Sequence, residues 1–366
     1  MASPTTAVFQ SNSSTPLTAH RKSLPALTGI RFIAALQVVF FHFGGSFALR
    51  HSSTRFLGNF LANGWIAVTL FFILSGFILS YTYAEQIQAP AGKRHFWEAR
   101  FARIYPVYLL SILLMLPFQG NFSVGLTVAV VMMVQAWNPA HPDFAYAWNL
   151  TDWTLSIEAF FYLVFPFLLP LMQRMSSRAL KAMLGMTLLL IVFGHTMTHF
   201  IEPLSQRAFI PLPVFRLPEF FVGIVLGLLF LRSDNVRHSS IRVYASLLTI
   251  IAVLLTIHDQ WLSLIVVPYA ILIYELAAYN SKVARLLGSR IFVLLGGASY
   301  AIYLLQVPVR LWVHLALTGT KDLKVNHAGT DAALSPVVLI GVSIVVFLYW
   351  EEPARKWLRS WFERNM

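Results

Sequence analysis

Arg31 and His42 stand eleven residues apart in one apolar run of the chain. At about 100° per residue that is three helical turns plus about 20°, so the two side chains share a helix face, about 16 Å apart along its axis. Imidazole is the usual general base near neutral pH; a histidine bonded to a neighbouring helix is the plainer reading. A carboxylate, Glu158, follows in Asn149–Leu150–Thr151–Asp152–Trp153–Thr154–Leu155–Ser156–Ile157–Glu158. Asn149, Thr151 or Asp152 can cap that helix, which puts Glu158 about two turns in from the outer surface, at a depth comparable with His42. A buried carboxylate beside an imidazole orients it and favours its charged form; a structural bond between helices is the alternative. Arg100 and Arg103, at i,i+3, share a face. Their forked guanidinium groups suit phosphate oxygens, although most such pairs only anchor a helix at the basic side of a membrane. Ser75–Gly76, inside Phe71–Phe72–Ile73–Leu74–Ser75–Gly76, reads first as a close helix contact and second as room for a thin ligand. Arg216, Glu219, Ser299, Tyr300, Tyr303, Gln306 and Glu352 are weaker candidates, each at least as well explained by structural bonds.

The elements that must hold these groups follow from composition. Of 366 residues, 57% are hydrophobic and 11% charged, and the mean hydropathy is +0.67. Soluble domains carry about 25% charged residues, so a water-soluble enzyme is excluded and an all-α polytopic membrane protein is expected. With no cysteine, disulfides, Cys-ligated zinc, iron–sulfur clusters and thiol nucleophiles drop out, and no His/Asp/Glu set has metal-ligand spacing. The net charge of +12 reads as basic loops facing anionic lipid rather than as a nucleic-acid surface.

A bilayer core of about 30 Å takes about 20 apolar residues per helix. Spans are expected near 26–46, 62–84, 102–119, 152–173, 180–200, 213–231, 242–258, 261–279, 291–316 and 334–350. The piece 122–137 is too short for a comfortable eleventh span. Placing the basic connections, among them 93–103, 174–181, 232–242 and 282–290, on the cytoplasmic side requires ten crossings with both termini inside. That leaves 122–137 as a re-entrant or outer-surface segment. The loop 317–333, with Lys321 and Lys324 beside Asp322 and Asp331, is the least comfortable outer loop. Residues 1–22 read as a flexible cytoplasmic tail, 23–352 as one membrane domain and 353–366 as a short basic cytoplasmic tail.

Taken in order, these segments resemble the membrane-bound acyltransferase 3 family, whose members O-acylate bacterial glycans and other extracytoplasmic acceptors. Leu27–Thr28–Gly29–Ile30–Arg31 through Phe41–His42–Phe43 is similar to the family's Arg-to-His signature. Ser75–Gly76–Phe77 resembles its Ser-Gly motif, and Arg100 with Arg103, before Tyr105–Pro106, its Arg-x-x-Arg motif. Trp153–Thr154–Leu155–Ser156–Ile157–Glu158 is similar to its Trp-Ser-Leu-Ser-x-Glu segment, with Thr154 where Ser is common. Ser299–Tyr300–Ala301–Ile302–Tyr303–Leu304 and Glu352–Pro353 complete the set. Position 306 is Gln where many relatives have His, so no catalytic role is assigned there. The chain is expected to lack the soluble esterase-like domain that some relatives add.

The resemblance implies an acyl-CoA co-substrate, acetyl-CoA by default, on the cytoplasmic side, with no tightly bound cofactor and no metal. The acceptor would be a hydroxyl of a sugar, a lipid-linked glycan or a lipid outside, reached within the inner or plasma membrane. His42, Glu158 and Arg31 then take catalytic roles, with Glu158 supporting His42. Arg100, Arg103, Ser75 and Gly76 take the acyl-CoA, and Trp153, Ser156 and Tyr300 take acceptor-binding or supporting roles. The rival class is a transporter or flippase using Arg, His and Glu for substrate or proton coupling; it lacks an evident inverted repeat or paired broken helices. A scaffold protein fits the polar inventory least.

Overall fold

The computed structural model describes residues 22–49, 55–120, 123–198, 212–233, 239–256, 259–278, 280–321 and 328–364. The expected N-terminal tail through residue 21, and the loop residues Asp322 and Lys324, lie outside them. Among the described residues every regular element is a helix, one of the two ways a spanning chain satisfies its backbone groups within lipid. Eight helical segments are long and apolar enough to cross a membrane. Two shorter apolar helices, Ser240–Thr256 and Leu262–Ala278, coincide with the expected runs at 242–258 and 261–279.

The site depends on a subset of the helices. They are α1 (Pro25–Leu49), α2 (Arg55–Ala62), α3 (Ala67–Tyr83), α4 (Gly92–Met115), α5 (Val124–Val131), α6 (Trp153–Gln173), α7 (Ser177–Thr198) and α8 (Pro213–Leu231). After them come α9 (Ser240–Thr256), α10 (Val266–Ala278), α11 (Lys282–Leu287), α12 (Arg290–Thr318), α13 (Ala328–Val346) and α14 (Glu352–Arg364).

Two helix pairs form the core, and glycine lets each approach closely. α3 packs on α8 where Gly76 meets the Phe220 carbonyl; a Cβ on Gly76 would stand 2.2 Å from that oxygen. α1 packs on α12 where Gly296 meets the Thr28 carbonyl, 2.0 Å from a notional Cβ. Small residues are the usual device for helix contact in lipid, where tails solvate apolar side chains as well as protein does. Phe161 of α6 stacks on Phe220 of α8 with ring centroids 4.7 Å apart and meets Phe72 of α3 edge-on at 5.2 Å, which ties α6 to the α3–α8 pair.

α5 has eight residues, about 12 Å of helix, too little to cross a core of about 30 Å. The chain then turns at Met133 (φ 58°) and folds back into the protein. Asn149 and Asp152 are fully buried and Thr151 nearly so. The Asn149 amide donates to the Leu304 carbonyl of α12 at 2.9 Å, and the Gln119 amide to the Trp148 carbonyl at 2.7 Å. Asn149, Thr151 and Asp152, which lead into α6, are therefore packed within the bundle.

At the other end of the chain, α13 passes through a widened turn, Phe347–Glu351, with the five-residue spacing of a π-helix. The segment expected as a short tail is helical, α14, through Arg364. α14 rests on α4, with Phe362 edge-on to Phe101 at 6.5 Å, and exposes Trp357 and Trp361.

Candidate active site

Two cavities lie along the helix face that carries Arg31 and His42. The first, of 130 Å³, is lined by Arg31, Ser75, Arg100, Arg103, Glu158, Tyr162, Ser299 and Tyr300, among others. The second, of 420 Å³, is lined by His42, Val38, Phe41, Trp65, Tyr146, Leu150 and Trp153. Val68 and Tyr303 line both, so the two cavities meet at that pair.

The charged cavity gathers three guanidinium groups around one carboxylate. Arg103 is ion-paired with Glu351, whose side chain is fully buried. Its guanidinium also faces the Tyr300 ring at 5.9 Å, and the Tyr300 hydroxyl donates to the Ile104 carbonyl at 2.9 Å. Arg100 donates to the Tyr83 hydroxyl at 3.2 Å, while its Nε is buried with no hydrogen-bond partner. Arg31 lies in the field of Glu158 but makes no hydrogen bond or ion pair among the described residues. Glu158 accepts from the Tyr162 hydroxyl at 2.9 Å, and the Ser75 hydroxyl lies 3.5 Å from the same oxygen of Tyr162. Buried donors in native proteins are nearly always satisfied, and a lone buried charge is costly. Cations left over in this way mark a place for an anionic or strongly polar ligand.

The aromatic cavity has a different character. His42 Nδ1 lies 2.9 Å from Gln306 Oε1. Gln306 Nε2 donates to the Tyr303 carbonyl at 2.8 Å, which fixes the amide with its oxygen toward the histidine. That oxygen only accepts, so Nδ1 carries the proton and Nε2 keeps its lone pair in the neutral ring. One turn further along α12, Arg310 donates to the His42 carbonyl at 3.2 Å and its guanidinium faces the Phe43 ring at 5.2 Å. The imidazole is thus held from α12 through both its ring and its backbone. At 420 Å³ the cavity is within the range of small-molecule sites, which are mostly apolar and aromatic with few polar groups.

Several expected site residues fall elsewhere. Glu158 lines the charged cavity with the arginines, and the ring partner of His42 is Gln306, the residue given no role above. The Glu158 carboxylate is therefore not beside the His42 imidazole: the two line different cavities. Gly76 is spent on the contact with α8, while Ser75 faces the cavity. Trp153 lines the aromatic cavity. Ser156 is supporting: its hydroxyl accepts from the Ala136 amide at 3.1 Å, and its carbonyl from Trp137 Nε1 at 2.8 Å. Glu352 pairs locally with Arg355 at 2.5 Å, and the carboxylate paired with Arg103 is Glu351. Arg216 and Glu219 form a buried ion pair at 3.1 Å, with the Thr69 hydroxyl bonded to both, which accounts for them as structure.

The family model described as "Acyltransferase domain" matches residues 24–350. The chain belongs to this acyltransferase family. Its relatives include acyltransferase MdmB of Streptomyces mycarofaciens, 29% identical over 88% of each chain. O-acetyltransferase OatA of Staphylococcus aureus is 24% identical over 80% of this chain and 51% of its own length, so the match spans about half of that protein. Protein 2 in picA locus of Rhizobium radiobacter is 32% identical over 146 residues, 38% of this chain. No solved structure matches. The protein is a multi-pass membrane acyltransferase.

Proposed function

We propose that this acyltransferase moves an acyl group, acetyl by default, from acyl-CoA at the basic, cytoplasmic end to a hydroxyl of a sugar or lipid-linked glycan on the opposite side. His42 Nε2 takes the hydroxyl proton, the freed oxygen attacks the thioester carbonyl, the C–S bond breaks, and the imidazolium returns the proton to the leaving thiolate. Products are the ester and CoA, and His42 is unchanged. Gln306 holds the ring in the tautomer that presents Nε2. Arg31 and Arg100 take the phosphates or developing negative charge of the donor. Glu158, bonded to Tyr162, offsets the crowded arginines.

The reading is carried by one observation: Arg31 and Arg100, neither of them ion-paired with a carboxylate among the described residues, line a cavity that meets the His42 cavity at Val68 and Tyr303. A volume of 130 Å³ is close to the roughly 150 Å³ that holds a benzene-sized ligand. It suits the thioester end of the donor, with the nucleotide at the mouth. The aromatic walls around His42 suit the apolar face of a sugar ring.

Mass spectrometry of surface glycans from cells carrying the wild type or His42→Ala tests this reading. An ester of fixed mass present with the wild type and absent with His42→Ala, at equal membrane levels of protein, is the expected result. Full esterification by the variant would remove His42 from the mechanism, and accumulation of unmodified precursor inside the cell would favour a transporter.

A further inference from the structure

A second basic feature lies away from both cavities, in a cleft of 630 Å³ between α7, α8, α9 and α10. Its rim carries Lys181, Arg232 and Arg242 against a single carboxylate, Glu275. Arg242 pairs with Glu275 at 2.9 Å and remains 42% exposed. Arg232 donates to the Gln173 and Met175 carbonyls at 2.7 and 2.8 Å, which anchors its guanidinium at the cleft mouth. Lys181 is exposed and has no ion-pair partner among the described residues. Away from the rim the walls are apolar: Leu184 and Leu188 of α7 face Leu226 of α8 and Ile271 of α10. Ile271 is 42% exposed, so this wall runs on to the lipid-facing surface of the bundle.

The arrangement has the polarity of a phospholipid: excess positive charge where a headgroup phosphate lies at the basic end of a membrane bundle, and an aliphatic trough beneath it that opens sideways to lipid. Acyl-CoA would need a path from this cleft to the reaction centre, and the cleft shares no lining residue with either cavity of the active site. We infer that the cleft is a binding site for an anionic phospholipid, its phosphate between Lys181 and Arg242 and one acyl chain along Leu184 and Leu188.

The test uses the purified full chain in nanodiscs of phosphatidylcholine mixed equally with phosphatidylglycerol, followed by native mass spectrometry of retained lipid. The wild type should retain phosphatidylglycerol in preference to phosphatidylcholine. Lys181→Glu should lower phosphatidylglycerol retention by about five-fold or more, the scale of one basic residue at an anionic surface. Leu188→Trp, which fills the trough, should lower retention of both lipids. Thermal unfolding of each variant in pure phosphatidylcholine discs checks that it is folded, and Leu184→Phe replaces Leu188→Trp if the latter is not. Equal retention of the two lipids, or unchanged retention in Lys181→Glu, would overturn the inference. Displacement of the lipid by inorganic phosphate or by acetyl-CoA would also overturn it, pointing to an anion site or a donor entrance instead.

Discussion

The charged and aromatic cavities share a wall and almost nothing else. Around Arg31, Arg100 and Arg103 the protein has assembled more positive charge than its own carboxylates absorb, in a space with room for little more than a thioester end. Around His42 it has placed one titratable side chain among aromatic rings, with its tautomer set by a neutral amide. A charged hydrogen-bonding site holds an anionic ligand strongly but makes a poor home for a neutral base, since nearby cations and carboxylates would dictate that base's protonation. Under the proposed function, separating the two would let one end bind charge while the other moves a proton. In the proposed mechanism the shared boundary, Val68 and Tyr303, is where donor and acceptor would meet.

The sharpest way to break this division is to remove the two arginines that have no carboxylate partner and ask which step suffers. Arg31→Gln with Arg100→Gln spares Arg103, whose loss would strand the buried Glu351. Two charge-assisted bonds at about 1.5 kcal/mol each predict a weakening of acyl-CoA binding of about 100-fold. Calorimetric titration of the detergent-solubilised protein measures it; unchanged affinity would return both arginines to topology anchors. Gln306→Leu should act on the other cavity alone. Losing the bond that selects the tautomer is expected to lower kcat about ten-fold and leave the KM for acyl-CoA in place. Gln306→Glu, which keeps an acceptor at the same position, should restore part of the rate and alter its pH profile; a Gln306→Leu enzyme with wild-type kcat would end the positioning role. An effect of the same size, on acyl selectivity and not on rate, is expected at the boundary. Tyr303→Ala should widen the junction and raise the ratio of butyryl to acetyl transfer by about ten-fold, the scale of a methylene or two in an apolar pocket. An unchanged ratio in a competition between the two donors would mean that acyl length is set elsewhere.

Much of this site was legible as chemistry and less of it as geometry. Arg31 and His42 were placed on one face by spacing alone, because a membrane helix has little freedom other than its period. Arg100, Arg103 and Ser75 were likewise visible as polar groups in apolar stretches. Glu158 was visible too, but not its company: that it lines the arginine cavity and not the His42 cavity depends on contacts between helices that nothing local signals. Gln306 was visible only as a weak polar candidate: its contact with His42 exists because α12 lies against α1. The choice between Glu351 and Glu352 turned on the π-helical turn at Phe347–Glu351. Inserting a residue into a helical turn rotates every later side chain, and adjacent residues in a helix point about 100° apart.

Hydropathy and charge pattern by themselves determined that this chain is a helical membrane protein, which of its ends is basic, and which few polar side chains lie where lipid makes polarity costly. Those are one-dimensional consequences of moving apolar and charged groups between water and hydrocarbon. Only the tertiary structure decided that the arginines and Glu158 share one cavity, that His42 stands in another with Gln306, and that Glu351 closes on Arg103. Each of those facts is a contact between segments far apart in the chain, fixed by the close packing of α3 on α8 and of α1 on α12 through their glycines, and no local pattern encodes it.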